Sequence, residues 1–452
     1  MKKMTKVVKI RKGLDIKLKG KPEKTISKNL NIELFALKPP DFEGITPKLK
    51  VKIDSEVKAG TALFFNKYQA DAMFTSPVSG KVVAINRGER RKLLEIVIKA
   101  DESIQYEEFK QADPKQLSKE QIIENLLKSG TWPFIRQRPY SIIANPNVEP
   151  KAIYISAFDS APLAPDYDFM LKDEQANLQM GIDALTKLTQ GKVYLNLKAN
   201  DSNSVFAKMK NVEKNYFSGP HPAGNVGIQI HHLNPINKGE VVWYLNPQDI
   251  VIIGRLFATG KFDARKTVAL VGSEVKKPQY YETILGASIE KIVADNVTTN
   301  DNRYISGNVL TGTQIIKKGF ISFFDSMISV IPEGKKAEFL GWGTPGFGKY
   351  SVSRTFFSWL TPNKEFALNT NMKGGLRSFV VTGEYDKVFP MDILPQHLLK
   401  AIIIEDIDQM EELGIYEVAE EDFALCEFVC TSKINVQEIV RNGLNLMYKE
   451  MN

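Results

Sequence analysis

The segment Thr131–Tyr140 (TWPFIRQRPY) places aromatic rings beside cationic side chains. Trp132 and Phe134 supply the rings, and Arg136 and Arg138 supply two guanidinium groups. Rings next to guanidinium groups suit a flat ligand such as a quinone or a flavin. These four residues are therefore the candidate quinone site. The alternative interpretation is a packed linker between domains that the two prolines of the segment stiffen.

A second candidate site is the glycine-containing stretch Ser218–Leu233 (SGPHPAGNVGIQIHHL), which holds Gly219, Gly224 and Gly227. The stretch is predicted to be a loop that enters a strand at Ile228–His231. Backbone amides of such a loop can approach a phosphate or a flavin, although many glycine-containing loops only turn the chain. No G-x-G-x-x-G motif follows a predicted strand, so the standard dinucleotide motif is absent.

Histidine and cysteine patterns predict neither a metal site nor a catalytic centre. The spacing of His221, His231 and His232 fits no usual zinc site, and the last two would point to opposite faces of the predicted strand. Cys426 and Cys430 are the only cysteines. One thiolate pair cannot hold a usual iron–sulfur cluster, so both are predicted to be buried free thiols. No catalytic triad, nucleophile elbow or P-loop is present, and no catalytic residue is predicted.

The run Phe74–Lys81 (FTSPVSGK), preceded by Val57–Phe64 (VKAGTALF), looks like the hairpin of a lipoyl or biotinyl carrier domain. Pro77 presets the turn of this hairpin. Lys67 is the only lysine near the expected tip, but it lies too far from Pro77 and lacks the flanking acidic or methionine residue of a carrier. We therefore expect a docking module here, and a modified carrier lysine is the alternative.

Five segments can be separated along the chain. Residues 1–30 contain basic strand-like runs, and residues 31–104 contain short strands separated by turns. Residues 105–258 alternate strand and helix patterns. Residues 259–330 alternate strand and turn signals, and residues 331–452 pass from a glycine- and aromatic-rich stretch into helices.

Hydrophobic spacing predicts individual elements within these segments. Gln116–Ser129 has the spacing of a helix that stops before Gly130. Strands at Lys151–Ser156 and Lys192–Leu197 flank a helix at Glu174–Leu188, which predicts a βαβ unit on a parallel sheet. Three shorter elements follow, namely strands at Thr267–Val271 and Ile289–Ala294 and a helix at Tyr280–Gly286.

Composition indicates a multidomain globular protein with an uneven distribution of charge. The 452 residues are 43% hydrophobic and 25% charged, and no apolar run approaches the ~18–20 residues of a membrane span. The chain is therefore expected to stay in the cytoplasm. Residues 1–100 carry 23 Lys/Arg and 10 Asp/Glu, a net charge of +13, whereas Glu405–Glu427 contains ten Asp/Glu and no Lys/Arg.

The basic end favours an anionic partner, either a membrane surface or an acidic protein face. Nucleic acid is not expected, because no aromatic stacking pattern accompanies the lysines. A solvated lysine surface explains the charge equally well.

Several sequence blocks in one order carry a family resemblance over nearly the whole chain. They are KIRKGLDIKLKGKPE, FTSPVSGKVVAINRGERR, SGPHPAGNVGIQIHHLNP, GWGTPGFGKYSVSRTFFSWL, MDILPQHLLKAI and EEDFALCEFVCTSK. Together they resemble the A subunits of sodium-translocating NADH:quinone reductases. The resemblance implies an α/β multidomain fold. Its parts would be a barrel-sandwich hybrid domain, a Rossmann-like domain, a β-grasp domain of the soluble-ligand-binding type and a helical C-terminal part.

The resemblance also implies a function within a six-subunit respiratory complex that oxidises NADH, reduces quinone and exports Na⁺. This chain would lie on the cytoplasmic face of the inner (cell) membrane as a peripheral subunit. Its partners would be the other subunits, especially a membrane-spanning one, and anionic lipid headgroups. It would dock these partners and contribute to quinone access. Catalysis by the isolated chain is left open.

Related subunits of respiratory complex I and of the Rnf complex hold FMN on a glycine-rich loop and carry cysteines for iron–sulfur clusters. This chain is similar in architecture but keeps a reduced glycine loop and two cysteines. Neither FMN nor an iron–sulfur cluster is therefore expected, and quinone is the one ligand left open. The alternatives are a stand-alone flavin/iron–sulfur electron-transfer protein like the Rnf C subunit and a lipoyl or biotinyl carrier.

Overall fold

The computed structural model describes residues 7–28, 30–199, 201, 203–298, 301–335, 338 and 340–451. The strands within these residues are β1 Val7–Lys9, β2 Ile26–Ser27, β3 Leu34–Leu37, β4 Pro47–Leu49, β5 Glu56–Val57, β6 Ala62–Asn66, β7 Gln69–Thr75, β8 Gly80–Arg87, β9 Leu93–Ala100, β10 Arg136–Arg138, β11 Ile142–Ile143, β12 Ala152–Ser156, β13 Lys192–Lys198, β14 Glu213–Ser218, β15 Val242–Leu245, β16 Arg265–Val271, β17 Gln279–Ile284, β18 Asn302–Ser306, β19 Thr313–Ile315 and β20 Met327–Pro332. The α-helices are α1 Lys119–Ser129, α2 Tyr167–Met170, α3 Gln175–Leu185, α4 Val226–Leu233, α5 Pro247–Thr259, α6 Glu290–Val293, α7 Glu384–Val388, α8 Pro395–Ile403, α9 Ile407–Glu412, α10 Ala424–Val429 and α11 Val436–Met451.

A seven-stranded sheet in the order β1-β14-β13-β12-β15-β10-β11 organises the middle of the chain. The first five strands in this order, β1, β14, β13, β12 and β15, are parallel to one another. Strands β10 and β11 pair antiparallel at one edge of the sheet. Helix α3 connects β12 to the parallel strand β13, so the predicted βαβ unit is present. Ile153, Tyr154 and Ile155 of β12 are all fully buried, as expected for a parallel strand that is covered on both faces.

Two smaller sheets, β3-β9-β8-β5 and β4-β6-β7, form the N-terminal domain. Phe64 and Phe74 stack with their ring centroids 4.5 Å apart. Phe42 lies edge-on to Phe74, with the ring centroids 4.6 Å apart. Phe42 also contacts Phe323, at 4.8 Å. Because Phe323 precedes β20 of the third sheet, the aromatic core continues from the N-terminal domain into its neighbour.

A six-stranded sheet in the order β19-β18-β20-β16-β17-β2 forms the third domain. Two predictions are wrong here. Tyr280–Gly286, predicted as a helix, is mostly strand β17, and Ile289–Ala294, predicted as a strand, contains the short helix α6. Short apolar runs fit both periodicities, and pairing of β17 with β16 and β2 decides in favour of the strand.

The N-terminal residues join two different sheets. Strand β1 pairs in parallel with β14, and Ile10 extends this pairing by donating its backbone N–H to the carbonyl oxygen of Ser218 at 2.8 Å. Strand β2 pairs in parallel with β17 of the third domain. The N-terminal segment therefore bridges the second and third domains.

The C-terminal region is helical from α7 to α11. Its core includes fully buried apolar side chains of α8, α9 and α11, among them Leu398, Met410 and Leu444. The amphipathic helix α11 lies against α8 and α10 with one apolar face. Among the helices of the described residues, none is long and apolar enough to cross a membrane.

Candidate functional site

Strand β10 places both predicted arginines, Arg136 and Arg138, on one face of the sheet and Gln137 on the other. It pairs antiparallel with β15, so that Arg136 lies opposite Tyr244 and Arg138 opposite Val242. Because side chains alternate between the faces of a strand, Gln137 points away from both arginines. Arg136 consequently lines one cavity and Gln137 lines another.

The smaller cavity lies beyond the carboxyl ends of β12 and β15, where Ser156 and Leu245 end the two strands. The chain connections run in opposite directions from this pair, and ligands of open α/β sheets bind at such a position. The cavity volume is only about 110 Å³. Ordinary cofactor sites begin at roughly 300 Å³, so this space is too small for a flavin.

Arg136 is held in place by two rings at the mouth of the small cavity. Its guanidinium carbon lies 4.5 Å from the ring centroids of both Tyr244 and Phe324. Its Nη2 donates a hydrogen bond to Asn246 Oδ1 at 3.2 Å. Arg136 is thus a predicted site residue that lines the small cavity.

Arg138 is fully buried and binds the C-terminal region. Its Nη1 lies 2.5 Å from Asp422 Oδ2 and donates to the Glu417 carbonyl at 2.9 Å, and its Nη2 lies 2.7 Å from Glu421 Oε1. Burial alone would lower the pKa of Arg138, but the charges of Asp422 and Glu421 outweigh that effect and raise it. This guanidinium therefore joins two domains and does not face a ligand space.

Trp132 and Phe134 lie in the core. Both are fully buried. Trp132 donates its indole N–H to the Ala144 carbonyl at 2.8 Å and meets the ring of Trp243 edge-on at 5.4 Å. Phe134 stacks on Phe323 at 4.6 Å. The two rings position β10 against its surroundings.

The predicted strand at Ile228–His231 is wrong, because residues 226–233 form helix α4. His231 and His232 are consecutive residues of this helix, and their ring centroids lie 5.3 Å apart. His231 contacts Glu417 Oε2 through Nδ1 at 2.7 Å and accepts the backbone N–H of Asp392 through Nε2 at 3.0 Å. In the described part of the chain, no group of three or more His, Cys, Asp or Glu could hold a metal ion.

Each glycine of the loop before and within α4 is explained by a neighbour inside the protein. A Cβ atom on Gly219 would lie 2.2 Å from the carbonyl oxygen of Ile10, and one on Gly224 would lie 2.6 Å from the backbone nitrogen of Ser160. A Cβ atom on Gly227 would lie 2.4 Å from Arg138 Nη1. Glycine is therefore needed at these three positions because other parts of the chain approach their backbone closely.

The larger cavity is a cleft of about 570 Å³ between the N-terminal domain, the β10–β11 edge and the C-terminal helices. Aromatic rings line it from all three regions, including Tyr68, Tyr140, Tyr416 and Tyr448. The ring of Tyr140 meets Tyr448 at 5.3 Å and Tyr416 at 6.3 Å. Its volume and its position between domains are typical of a small-molecule site.

Polar groups at the cleft could orient a ligand. Gln69 Nε2 is buried and has no hydrogen-bond partner among the described residues. Lys238 forms an ion pair with Glu411 at 2.7 Å, and Glu411 also accepts the hydroxyl of Tyr416. The segment TWPFIRQRPY identified in the sequence contributes Gln137, Pro139 and Tyr140 to the lining, but sequence reasoning missed the lining residues outside it. They come from distant parts of the chain, and no local pattern connects them.

Three family models match consecutive parts of the chain. The NqrA N-terminal barrel-sandwich hybrid domain matches residues 8–101, the NqrA second alpha/beta domain matches residues 117–262, and the NQRA C-terminal domain matches residues 267–317. The N-terminal domain is thus a barrel-sandwich hybrid, as the resemblance implied.

Full-length relatives extend this match to the whole chain. The A subunit of the Na(+)-translocating NADH-quinone reductase of Yersinia pestis bv. Antiqua (strain Angola) is 40% identical over 447 residues, which cover 98% of this chain and 100% of the relative. The chain belongs to this family of A subunits. The relatives of the same name from Hahella chejuensis and Neisseria meningitidis serogroup B are each 39% identical over 449 residues, with 98% of this chain and 100% of the relative covered. A solved NAD⁺-reducing [NiFe]-hydrogenase has a TM-score of only 0.36 at 11% identity, over 75% of this chain and 59% of that one, which is too low to support an argument.

Lys67 of this NqrA family member lies at the tip of the β6–β7 hairpin. Its side chain is exposed, and its Nζ lies 5.2 Å from the ring centroid of Tyr68. Lys67 therefore does occupy a hairpin tip, the kind of position at which a carrier domain would hold its modified lysine. The same hairpin forms one wall of the cleft.

The two cysteines of this family member are buried. Cys426 lies within α10 and Cys430 directly follows that helix. Burial raises the pKa of the Cys426 thiol well above its ordinary value. A buried thiol that stays protonated is a poor nucleophile and a poor metal ligand, which agrees with the expectation of buried free thiols.

His221 is expected to make the stability of this family member depend on pH. Burial lowers the pKa of His221 from 6.5 to about 4, and its Nδ1 lies 3.0 Å from Ser160 Oγ. Because the unfolded chain binds a proton more tightly than the folded one between these values, the free energy of unfolding should fall as the pH is lowered from 6.5 towards 4. At ~1.4 kcal/mol per pKa unit, the loss attributable to this residue is up to about 3 kcal/mol.

Urea unfolding at several pH values would measure this loss. His221→Asn should lose less free energy of unfolding than the native chain over the same pH interval. His397 is exposed, and His397→Asn is the matched control that should follow the native curve. Equal acid sensitivity of the native chain and His221→Asn would contradict the assignment.

Proposed function

We propose that this chain is the peripheral A subunit of a Na⁺-translocating NADH-quinone reductase that oxidises NADH, reduces quinone and exports Na⁺. The support is the match of the whole chain to full-length relatives of that name. The chain would lie at the cytoplasmic face of the cell membrane and contact a membrane-spanning subunit. Its acidic stretch Glu405–Glu427 is partly used internally, because Glu417, Glu421 and Asp422 bind the α/β domain.

The finer fold assignments are part of the proposal. The parallel strand order β14-β13-β12-β15 corresponds to the 3-2-1-4 order of a doubly wound sheet, which supports a Rossmann-like domain. In the third domain, β16 and β20 form a central parallel pair flanked by antiparallel β17 and β18, with α6 between β17 and β18 in the chain. This arrangement supports a β-grasp domain.

Within this protein, the tyrosine-lined cleft is the proposed quinone site. The observation that carries this proposal is a 570 Å³ interdomain cleft that combines aromatic walls with the buried amide of Gln69, which has no partner among the described residues. A quinone ring can stack against tyrosine rings, and its carbonyl oxygen can accept the Gln69 N–H. The segment TWPFIRQRPY thus contributes to quinone access through Gln137, Pro139 and Tyr140, which line the cleft, more than through Trp132 and Phe134.

The residues of the chain do not fit FMN or an iron–sulfur cluster. The space at the glycine loop is about 110 Å³, and the N-terminal turn of α4 is covered by the side chains of Arg138 and Asp422 beside Gly227. The two thiols are too few for a usual cluster. We therefore propose that neither group is held by this chain.

Titration of the purified chain with a short-chain benzoquinone by calorimetry tests the cleft. Gln69→Leu removes the proposed donor at similar volume and should weaken binding roughly five- to tenfold, as expected for one lost hydrogen bond. Ile143→Trp adds bulk to the cleft wall and should abolish measurable binding. A visible absorption spectrum of the same sample should show no flavin.

Arg136→Met is the discriminating comparison, because Arg136 borders the small cavity and not the cleft. It should leave the quinone affinity unchanged. Gln314→Leu, on strand β19 where the side chain is exposed, controls for the chemistry of the substitution. A loss of affinity in Arg136→Met with native affinity in Gln69→Leu would move the site to the small cavity and refute the proposal.

A further inference from the structure

An apolar surface is concentrated in residues 340–381, which we call the aromatic segment. Trp342 is 77% exposed, Phe347 61% and Trp359 49%. The remaining large exposed apolar side chains of the segment are Leu340, Val352, Phe357, Leu360, Met372, Leu376, Val380 and Val381. Such a concentration on a globular protein marks an interaction surface.

The first part of the aromatic segment folds back on itself and brings two of its exposed rings together. Phe357 donates its backbone N–H to the Pro345 carbonyl at 2.9 Å, and Ser358 donates its hydroxyl to the Lys349 carbonyl. The ring centroids of Phe347 and Phe357 lie 5.7 Å apart. Phe347 and Phe357 therefore already lie together and need little additional ordering to bind.

The charge of the aromatic segment is almost entirely positive. It contains one acidic residue, Glu365, and five basic residues, namely Lys349, Arg354, Lys364, Lys373 and Arg377. Aromatic side chains next to Lys and Arg are the composition of protein surfaces that lie in a membrane interface.

The fold adds the basic N-terminus to the same surface. Leu18 pairs with Phe366 in a parallel bridge, and Lys19 donates its backbone N–H to the Phe366 carbonyl at 3.1 Å. Lys17 Nζ donates to the Pro362 carbonyl at 2.7 Å. Lysines that are more than 300 positions away in the sequence thus lie against Pro362 and Phe366 of the aromatic segment.

We propose that the aromatic segment, together with Lys17 and Lys19, inserts into the interface of an anionic lipid bilayer. The rings of Trp342 and Trp359 enter the headgroup boundary, and the surrounding cations bind lipid phosphates. Charge complementarity favours an anionic lipid surface over an uncharged apolar protein surface. The inference rests on the proposed function, since a protein of a membrane complex works next to such a surface, but it does not involve the quinone cleft.

Flotation of the purified full chain with vesicles tests the proposal separately from assembly and quinone binding. Vesicles of phosphatidylcholine with phosphatidylglycerol should bind the chain at least about tenfold more tightly than phosphatidylcholine alone, and high salt should remove most of this difference. The double variant Trp342→Ser/Trp359→Ser should lose about tenfold in binding to the anionic vesicles. Trp342→Phe/Trp359→Phe should retain most of it.

The matched control is Ile316→Ser, because Ile316 is 73% exposed and lies outside the segment. It should bind as the native chain does. Lys19→Gln/Arg354→Gln should weaken binding only to the anionic vesicles. Native binding by the tryptophan-to-serine variant would overturn the proposal. The proposal would also be overturned if the native chain did not bind anionic vesicles. If the tryptophan-to-serine variant then also failed to assemble with the membrane-spanning subunits, the aromatic segment would instead contact an apolar protein partner.

Discussion

Replacing Arg138 with methionine is expected to lower the free energy of unfolding by about 3–5 kcal/mol, because it leaves the buried carboxylate of Asp422 without its cation. Asp422 is completely buried beside Arg138, and its carboxylate also accepts the backbone N–H of Ala419 at 2.9 Å. The loss should be greatest where the C-terminal region contacts the α/β domain. Urea unfolding measures the total effect, and hydrogen exchange of the backbone amides of α10 locates it.

Two comparisons separate this effect from a general cost of losing a cation. Lys192 and Glu213 form an ion pair with side chains 62% and 45% exposed, so Lys192→Met should cost no more than about 1 kcal/mol. Arg138→Met combined with Asp422→Leu removes both charges and should recover part of the lost stability. Native stability in Arg138→Met alone would show that this pair does not hold the domains together.

Gly219→Ala is the second change with a large expected effect, about 2–5 kcal/mol of lost stability. Gly219 has φ +135°, and an added Cβ atom would lie 2.2 Å from the carbonyl oxygen of Ile10. Either the turn at Gly219 or the end of strand β1 must move, because the carbonyl oxygen of Ile10 belongs to the backbone and not to a flexible side chain. Hydrogen exchange of the Ile10 amide, which donates to Ser218, should accelerate in this variant.

Gly239→Ala is the control for backbone strain without a clash. Gly239 has φ +84°, and no atom of the described residues lies within 4 Å of its added Cβ position. Its cost should therefore be limited to roughly 1–2 kcal/mol of left-handed strain. If Gly219→Ala costs no more than Gly239→Ala, then close packing against Ile10 is not the reason for glycine in this loop.

Local patterns predicted the longer elements well. In α1, Ser118 and Gln121 form a capping box, and Gly130 ends the helix with φ +78°. The stop signal was visible in the sequence because glycine adopts this conformation at little cost. The errors fell on runs of four to eight residues, where helix and strand periodicities cannot be distinguished without knowledge of the neighbours.

The candidate site was predicted less completely. The sequence identified TWPFIRQRPY, and this segment does border both cavities. Because side chains alternate along β10, Arg136 lines one cavity and Gln137 lines the other. Trp132 and Phe134 are buried in the core. Composition shows that rings and guanidinium groups are present, but it does not show which of them retain an open face.

The order of several sequence blocks carried the resemblance to the family, and local patterns predicted the βαβ unit. Other features became visible only in three dimensions. Strands β1 and β2 join different sheets, Asp422 fills the space beside Gly227, and Lys17 lies next to residue 362. Such contacts depend on which distant groups can satisfy one another's hydrogen bonds, charges and volume once buried. No periodicity along the chain encodes them.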